Sequence, residues 1–279
     1  MLKESINGVL GRATGYQLRR VSTGESDAAQ LATARRELAR VTGTLEKTRA
    51  RLARTMPTHY DDAATAILRR VEPRTMTDYG KLFGLVEATR YVARHGIAGD
   101  IVECGVWRGG SMQAVALALM EQGVTDRQLH LFDTFEGMPP PTAEDRRGAT
   151  TAEELLATHD KEHRVWAIAG LDDVQAGMSE TGYPQGQIHY HQGLVEDTVP
   201  SRAPREIALL RLDTDWYAST RHELEHLYDR LTPGGVLIID DYGDWDGARK
   251  ATDEFLTTRH EPLLLLPVGS GRLALKPRA

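Results

Sequence analysis

Short apolar runs rich in β-favouring residues alternate with longer segments of helical periodicity through most of the chain from residue 100 onward. This alternation predicts an α/β fold in which a doubly wound, mostly parallel sheet carries helices on both faces. The predicted strands are 100–104, 128–132, 187–191, 207–213 and 235–240, and the predicted helices are 111–122, 171–181, 220–231 and 247–257. Two more apolar runs, 263–267 and 272–275, flank the turn Gly269-Ser270-Gly271, which predicts a closing antiparallel hairpin.

The N-terminal part of the chain has a different, seven-residue period. The repeating apolar positions are Leu31, Leu38, Leu45 and Leu52, with Ala34, Val41 and Thr48 three residues after the first three. A heptad seam of this kind predicts a helix that self-associates, and a helix packed on its own domain is the alternative. We therefore predict three regions: a helical arm over 1–56, a lid and leading helices over 57–99, and the main α/β domain over 100–279.

Composition and charge narrow the class of protein. The 279 residues are 41% hydrophobic and 27% charged with a formal net charge of -6, and no dense basic stripe with interleaved aromatic residues occurs, which argues against a nucleic-acid partner. Cys104 is the only cysteine, so an intramolecular disulfide is impossible and a reducing compartment fits. No stretch resembles a signal peptide or reaches the apolar length of a membrane span, so we expect a cytoplasmic protein with no membrane partner.

Two of the predicted strands end in acidic residues. The apolar run 209–212 is followed by Asp213 and Asp215, and the run 236–239 is followed by Asp240 and Asp241. If the two strands are neighbours, the four carboxylates converge, and like charges repel one another unless a cation lies among them. Oxygen-only ligands without cysteine or paired histidine favour a hard cation such as Mg²⁺. Asp215 is placed to receive the proton of a hydroxyl group that such a cation holds.

A glycine-rich turn follows the first predicted strand. Residues 104–111 have the pattern of a strand end, a tight turn and the start of a helix. Glycines let the backbone approach a ligand closely, and the free N–H groups of a helix start suit the carboxylate of an amino-acid cofactor. A turn that simply needs positive φ is the alternative. Asp133, at the tip of the next strand, is placed to accept hydrogen bonds from two ribose hydroxyls, although capping and packing also explain an acid there.

Two other features have weaker implications. The insertion over 137–165 is long, charged and proline-rich at its start, and loops of that size are usually functional or disordered, so we predict a lid on the substrate side. His189 and His191 alternate along one predicted strand and therefore point to the same face. Histidines on strands are more often packing or surface residues than ligands, so we assign this pair no catalytic role.

Segments 100–112, 132–140, 193–200, 210–220 and 234–253 together resemble the macrocin O-methyltransferase family, and the similarity covers roughly residues 74–275. The most specific elements are Leu-Asp-Thr-Asp at 212–215 and Ile-Asp-Asp-Tyr at 239–242. The resemblance implies the class I methyltransferase (Rossmann-like) fold, S-adenosylmethionine as methyl donor and a divalent cation, usually Mg²⁺. It also implies that Asp213, Asp240 and Asp241 ligate the metal and that Asp215 is the general base. The heptad arm departs from the better-known members.

The predicted cofactor site is larger than the glycine turn alone. The residues that we predict to bind S-adenosylmethionine are Thr77, Glu103, Gly105, Trp107, Gly109, Gly110, Ser111, Asp133, Phe135, Asp173 and Gln192. For Asp173, which begins a predicted helix, stabilisation of the helix dipole is the simpler interpretation and an adenine contact is the second.

These observations predict an enzyme that transfers a methyl group to a sugar hydroxyl of a glycosylated natural product or a related saccharide. The expected partners are a small glycosylated substrate and further copies of the same chain. Methylation of a catechol-type aromatic diol is an alternative, because it needs the same metal geometry. A non-catalytic coiled-coil assembly protein is a second alternative from another class, although clustered like charges have no use in a decayed site.

Overall fold

The computed structural model describes residues 27–53, 56–259 and 262–278. The chain divides into two compact units, Met1–Leu52 and Ala53–Ala279. The first unit contains helix α1 (Asp27–Ala53) apart from its last residue. Within α1, Leu31, Leu38 and Val41 of the predicted seam are 55%, 68% and 54% exposed. The side chains of Leu45, Thr48 and Leu52 lie outside the described residues, so self-association through this seam stays a prediction.

The second unit contains the α/β fold that the hydrophobic pattern predicts. Its helices are α2 (Asp62–Val71), α3 (Tyr79–Arg94), α4 (Gly110–Glu121), α5 (Ala152–Ala157), α6 (Leu171–Glu180), α7 (Val195–Thr198), α8 (Tyr217–Leu227) and α9 (Asp246–Thr257), with 3-10 turns at Glu72–Arg74, Arg164–Trp166, Gln185–Gln187 and Tyr228–Arg230. Its strands are β1 (Asp100–Cys104), β2 (Leu129–Asp133), β3 (Arg146–Arg147), β4 (Thr150–Thr151), β5 (Ile188–Gln192), β6 (Ile207–Leu212), β7 (Leu231–Ile239), β8 (Leu266–Val268) and β9 (Gly271–Leu275).

Seven of these strands form one sheet in the order β5-β2-β1-β6-β7-β9-β8. Neighbours from β5 to β7 are parallel, whereas β9 runs antiparallel to both β7 and β8. The predicted class I methyltransferase sheet with its closing hairpin is therefore confirmed. Because β1 lies between β2 and β6, the chain leaves β1 first to one side and later to the other. Ligands of open α/β sheets bind at such a switch point, beyond the carboxyl ends of the strands.

Apolar side chains cover both faces of the sheet. On one face Ile101 and Leu209 pack with residues of α4 and α6, such as Val115 and Met178. On the other face the strands pack with α8 and α9 through a cluster that includes Val102, Leu210, Leu224, Leu227 and Phe255. Each fully buried side chain of this kind stabilises the fold by roughly 1.5–3 kcal/mol. The packing of helices on both faces thus fixes the ends of the strands, and the polar residues project from these ends.

Helix α8 and strands β7 and β8 begin three or four residues away from their predicted starts. Helix α8 begins at Tyr217 rather than at residue 220, because the chain turns sharply at Asp215, whose φ is +65°, and enters the helix directly. The insertion after Gly137 is folded rather than irregular: β3 pairs with β4, and α5 begins with a capping box between Thr151 and Glu154. No helix in the described ranges is long and apolar enough to cross a membrane.

Candidate active site

The two acidic strand ends meet. Leu212 pairs with Ile239 in the parallel ladder of β6 and β7, so Asp213 and Asp240 leave the sheet side by side. Asp213, Asp240 and Asp241 each offer one carboxylate oxygen, and these oxygens all lie within 4.8 Å of one another. Oxygen-only donors at this spacing fit a hard divalent cation, and these three residues would hold it.

Asp215 occupies a strained position beside this cluster. It is the centre of a tight turn in which the Trp216 N–H donates to the Thr214 carbonyl at 2.7 Å, and its positive φ is uncommon for a residue other than glycine. Its own N–H donates to Oδ2 of Asp241 at 3.0 Å. Burial, and next the charge of Asp213, raise the pKa of Asp215 to about 7. A carboxylate with that pKa suits proton transfer near neutral pH.

Two buried protein cations lie against the cluster, and the sequence did not reveal either. Nη1 of Arg211 donates to Oδ2 of Asp213 and to Oε1 of Glu103, at 2.6 Å each, and Nη2 donates to Oδ1 of Asp240 at 2.7 Å. Nζ of Lys81 donates to Oδ2 of Asp240 at 2.8 Å. An arginine inside the apolar run of β6 was an available signal, because a buried charge requires a partner.

The cations make the three carboxylates electrostatically unequal. Burial alone disfavours the charged form of Asp240, but the charges of Arg211 and Lys81 outweigh it and lower the pKa of Asp240 to about 2. Burial, together with the charges of Asp215 and Asp240, raises the pKa of Asp241 well above its usual range. Burial, and next the neighbouring carboxylates, therefore disfavour the charged form of Asp241 despite the nearby cations, and a bound divalent cation would favour that charged form.

The glycine turn crosses directly in front of the acidic strand end. Gly105 has a φ of +82°, and a Cβ atom there would collide with the carbonyl of Asp213, so a side chain is excluded. Trp107 also has positive φ. Oδ2 of Asp133 accepts hydrogen bonds from the N–H groups of Val106 at 2.6 Å and Trp107 at 3.0 Å, so this carboxylate ties the turn to the end of β2. The capping role that the sequence left open is thus observed, and the ribose role stays a prediction.

A cavity of about 650 Å³ lies over the carboxyl ends of the strands and joins these parts. Nine of the predicted site residues line it: Thr77, Gly105, Trp107, Ser111, Asp133, Asp213, Asp215, Asp240 and Asp241. The other six are not among its lining residues: Glu103, Gly109, Gly110, Phe135, Asp173 and Gln192.

Two of these six residues form ion pairs with arginines instead of lining the cavity. Glu103 is fully buried, and its Oε1 pairs with Arg211. Asp173 pairs with Arg74 at 3.1 Å and with Arg108 at 2.8 Å, and these contacts lower its pKa. In this arrangement both side chains support the cavity wall rather than face the cavity.

The insertion over 137–165 also lines the cavity. Its contributions to the lining include Met138, Arg147, Leu155, His159, His163, Arg164 and Val165. Trp216 and Trp245 meet edge to face beside them at a centroid distance of 4.9 Å, and Arg147 lies 4.5 Å over the Trp245 ring. This part of the lining combines apolar and aromatic surface with cations, as expected of a site for a small organic molecule.

The model of the family described as macrocin-O-methyltransferase (TylF) matches residues 19–265. The chain belongs to this family. It is therefore a methyltransferase, and the alternative of a non-catalytic assembly protein does not hold.

Relatives of this chain include enzymes whose names specify O-methylation. The chain is 35% identical over 197 residues to 8-demethyl-8-(2,3-dimethoxy-alpha-L-rhamnosyl)-tetracenomycin-C 4'-O-methyltransferase of Streptomyces olivaceus. That alignment covers 70% of this chain and 73% of the relative. The chain is also 34% identical to mycinamicin III 3''-O-methyltransferase of Micromonospora griseorubida, over 60% of this chain and 65% of that protein. The solved structure of the O-methyltransferase NovP superposes with a TM-score of 0.65 at 27% identity, covering 74% of this chain and 83% of NovP.

Proposed function

We propose that this methyltransferase transfers the methyl group of S-adenosylmethionine to a sugar hydroxyl of a glycosylated natural product or related saccharide, with the help of a divalent cation such as Mg²⁺. The observation that carries the proposal is the convergence of Asp213, Asp240 and Asp241 at the wall of a cavity that the glycine turn also lines. The name of the Streptomyces olivaceus relative, which contains a rhamnosyl group and a 4'-O-methyltransferase activity, supports the substrate class.

The residues that line the cavity support the following division of labour. The glycine turn, Thr77 and Ser111 bind the amino-acid end of the methyl donor, and Asp213, Asp240 and Asp241 hold the cation. A bound divalent cation polarises a hydroxyl oxygen and favours loss of its proton. Asp215 accepts that proton because it lines the same cavity and lies beside the acidic cluster, with its N–H bonded to Asp241.

The cavity walls orient the acceptor oxygen toward the methyl carbon and exclude water. Because methyl transfer from a sulfonium needs no further activation, holding the two reactants in line can supply up to roughly 7–11 kcal/mol of the barrier reduction. The residues of the insertion that line the cavity contribute to this closure.

A catechol-type aromatic diol is the second candidate acceptor. Trp216 and Trp245 contribute aromatic atoms to the cavity lining, which suit a planar ring as well as the apolar face of a sugar. Both acceptor classes offer two adjacent hydroxyls to a cation, so the site chemistry alone does not separate them.

A screen with labelled S-adenosylmethionine tests the proposal. The purified protein with Mg²⁺ is incubated with matched panels of rhamnosides and other glycosides, nucleotide sugars and catechols. We expect label transfer to a glycoside or nucleotide sugar at a rate at least tenfold above that to any catechol. Transfer to catechols alone contradicts the sugar assignment.

We also propose that the chain acts in the cytoplasm and forms homo-oligomers. Its proposed regions are an arm over 1–56, a lid and leading helices over 57–99, and the catalytic domain over 100–279. The exposed apolar positions Leu31, Leu38 and Val41 support association through α1. Light scattering of the full chain and of a variant lacking residues 1–55 tests this, and we expect a smaller assembly after deletion. A monomeric full-length chain contradicts it.

A further inference from the structure

Asp240 differs from the other carboxylates of the cluster because protein cations contact both of its oxygens. Nη2 of Arg211 donates to Oδ1 at 2.7 Å, and Nζ of Lys81 donates to Oδ2 at 2.8 Å. Asp241, in contrast, receives the backbone N–H of Asp215 on Oδ2. A divalent cation that binds this cluster must therefore share Asp240 with two positive charges already present.

The two protein cations are held very differently. Arg211 is 2% exposed and its guanidinium also contacts Glu103, Asp213 and Thr77, which fixes it in the wall. Lys81 lines the cavity, and its flexible stem carries a single ammonium group. Only Lys81 is thus able to move without breaking a buried network.

Lys81 also has a second acceptor within reach. Its Nζ lies 2.8 Å from Oδ2 of Asp244, which in turn accepts a hydrogen bond of 2.6 Å from Oγ of Ser270 in the hairpin turn. Asp244 and Ser270 line the same cavity. The ammonium can therefore leave Asp240 and keep a charged partner, because Asp244 is anchored from the other side.

We propose that Lys81 is a positioning residue that acts as an exchangeable counter-ion of Asp240: its ammonium holds Oδ2 until a divalent cation binds and then stays with Asp244 alone. This inference rests on the proposed cation site. Its consequence is that Lys81 weakens cation binding while it keeps the acids assembled. A lysine with only a structural role has the opposite effect, since its loss disorders the site and weakens binding.

Calorimetric titration of the protein with Mn²⁺ in the absence of methyl donor and acceptor tests this directly. Mn²⁺ takes the same oxygen ligands as Mg²⁺. We expect Lys81→Met to bind Mn²⁺ about tenfold more tightly than the unmodified chain, well within what one unit charge at about 4 Å changes near a protein surface. Lys81→Arg keeps the charge and should bind within about threefold of the unmodified chain, since only the stem and head group differ.

Two further variants make the result specific. Lys250→Met removes one positive charge from an exposed lysine that pairs with Glu144 outside the cavity, and its Mn²⁺ affinity should be unchanged. Lys81→Gln removes the charge while keeping a polar end, and it replaces Lys81→Met if that variant does not fold. Equal or weaker Mn²⁺ binding by a folded Lys81→Met or Lys81→Gln protein overturns the inference.

The outcome also separates this inference from the proposed function. If the unmodified chain binds Mn²⁺ and the folded neutral variants do not bind it more tightly, the cation site stands and the role of Lys81 is wrong. Binding seen only in the neutral variants supports the inference. If neither the unmodified chain nor the neutral variants bind Mn²⁺, the proposed cation site fails and the inference fails with it.

Discussion

At the carboxyl ends of β6 and β7, four aspartates lie beside two buried cations, whereas on β2 and β5 at the edge of the sheet three histidines stack on one another. In the edge cluster, His130 and His191 share a hydrogen bond of 3.0 Å, and His130 also contacts Asp100 at 3.3 Å. The edge histidines thus pair with one another and with Asp100. In the acidic cluster, burial, and next the charges of Asp215 and Asp240, raise the pKa of Asp241 although Arg211 and Lys81 contact the cluster.

From this difference we propose that the acidic cluster, rather than the histidine cluster, takes part in the chemistry. Groups that pair fully with their neighbours contribute to packing, while a cavity-lining cluster with unrelieved charge is arranged for a ligand. Substitutions in the acidic cluster should therefore change catalysis, and substitutions in the histidine cluster should change only the folding equilibrium.

The largest expected effect is that of Asp215→Asn. The amide keeps the shape of the side chain but accepts no proton, so kcat should fall by about 10²–10⁴-fold. The affinity for S-adenosylmethionine, measured by calorimetry, should stay within threefold because Asp215 does not belong to the glycine turn. Full kcat in this variant would show that another group, or water, removes the proton.

Arg211→Met should lower the free energy of unfolding by about 3–5 kcal/mol, since it leaves buried carboxylates without their partner. Arg221→Met is a matched control: that arginine pairs with Glu225 and Glu254 on the surface, and its loss should cost roughly 0–1 kcal/mol. Urea denaturation measures both. Equal effects for the two arginines would contradict a charge-organising role for Arg211.

Gly105→Ala tests the close approach of the glycine turn to the acidic strand end. The new Cβ would meet the Asp213 carbonyl, and the positive φ alone costs about 1–3 kcal/mol. Gly170→Ala is the control, because nothing lies within 4 Å of its Cβ position and its φ is -68°. Thermal denaturation should separate the two variants clearly, and a comparable stability of both would mean that the turn relaxes.

The smallest expected effect is on acid stability through His191. Burial, and next the neighbouring histidines, lower the pKa of His191 to about 4 from its usual 6.5. The unfolded chain therefore binds this proton first, so stability falls as the pH drops from about 6.5 toward 4. His191→Gln should flatten that slope in denaturation curves and leave kcat at pH 7.5 unchanged. A large loss of activity would mean that the edge cluster takes part in catalysis.

Part of the fold and of the acidic cluster could be predicted from the sequence alone. The alternation of apolar runs predicted the sheet and its hairpin, because buried parallel strands need continuous apolar residues. Asp213 and Asp240 could be placed together since both follow such strands. Arg211 and Lys81 were missed because their contacts span 29 and 159 residues, which local periodicity does not register.

The predicted cofactor residues were likewise identified only where local sequence features determine their position. The residues of the glycine turn that line the cavity could be predicted because a tight turn needs glycine where φ is positive, as at Gly105. Glu103 and Asp173 were predicted from their position at a strand and at a helix start, but long-range pairs with arginines engage both carboxylates outside the cavity lining. Such distant partners do not show in the spacing of residues along the chain.

The most direct test of the central claim is the dependence of methyl transfer on a divalent cation held by Asp213, Asp240 and Asp241. Activity toward the acceptor identified in the screen is measured after exhaustive chelation, and again after Mg²⁺ is added back in excess. We predict that chelation abolishes turnover, that Mg²⁺ restores it, and that Asp241→Asn protein is not restored at the same Mg²⁺ concentration. Full activity in the presence of chelator would contradict the account.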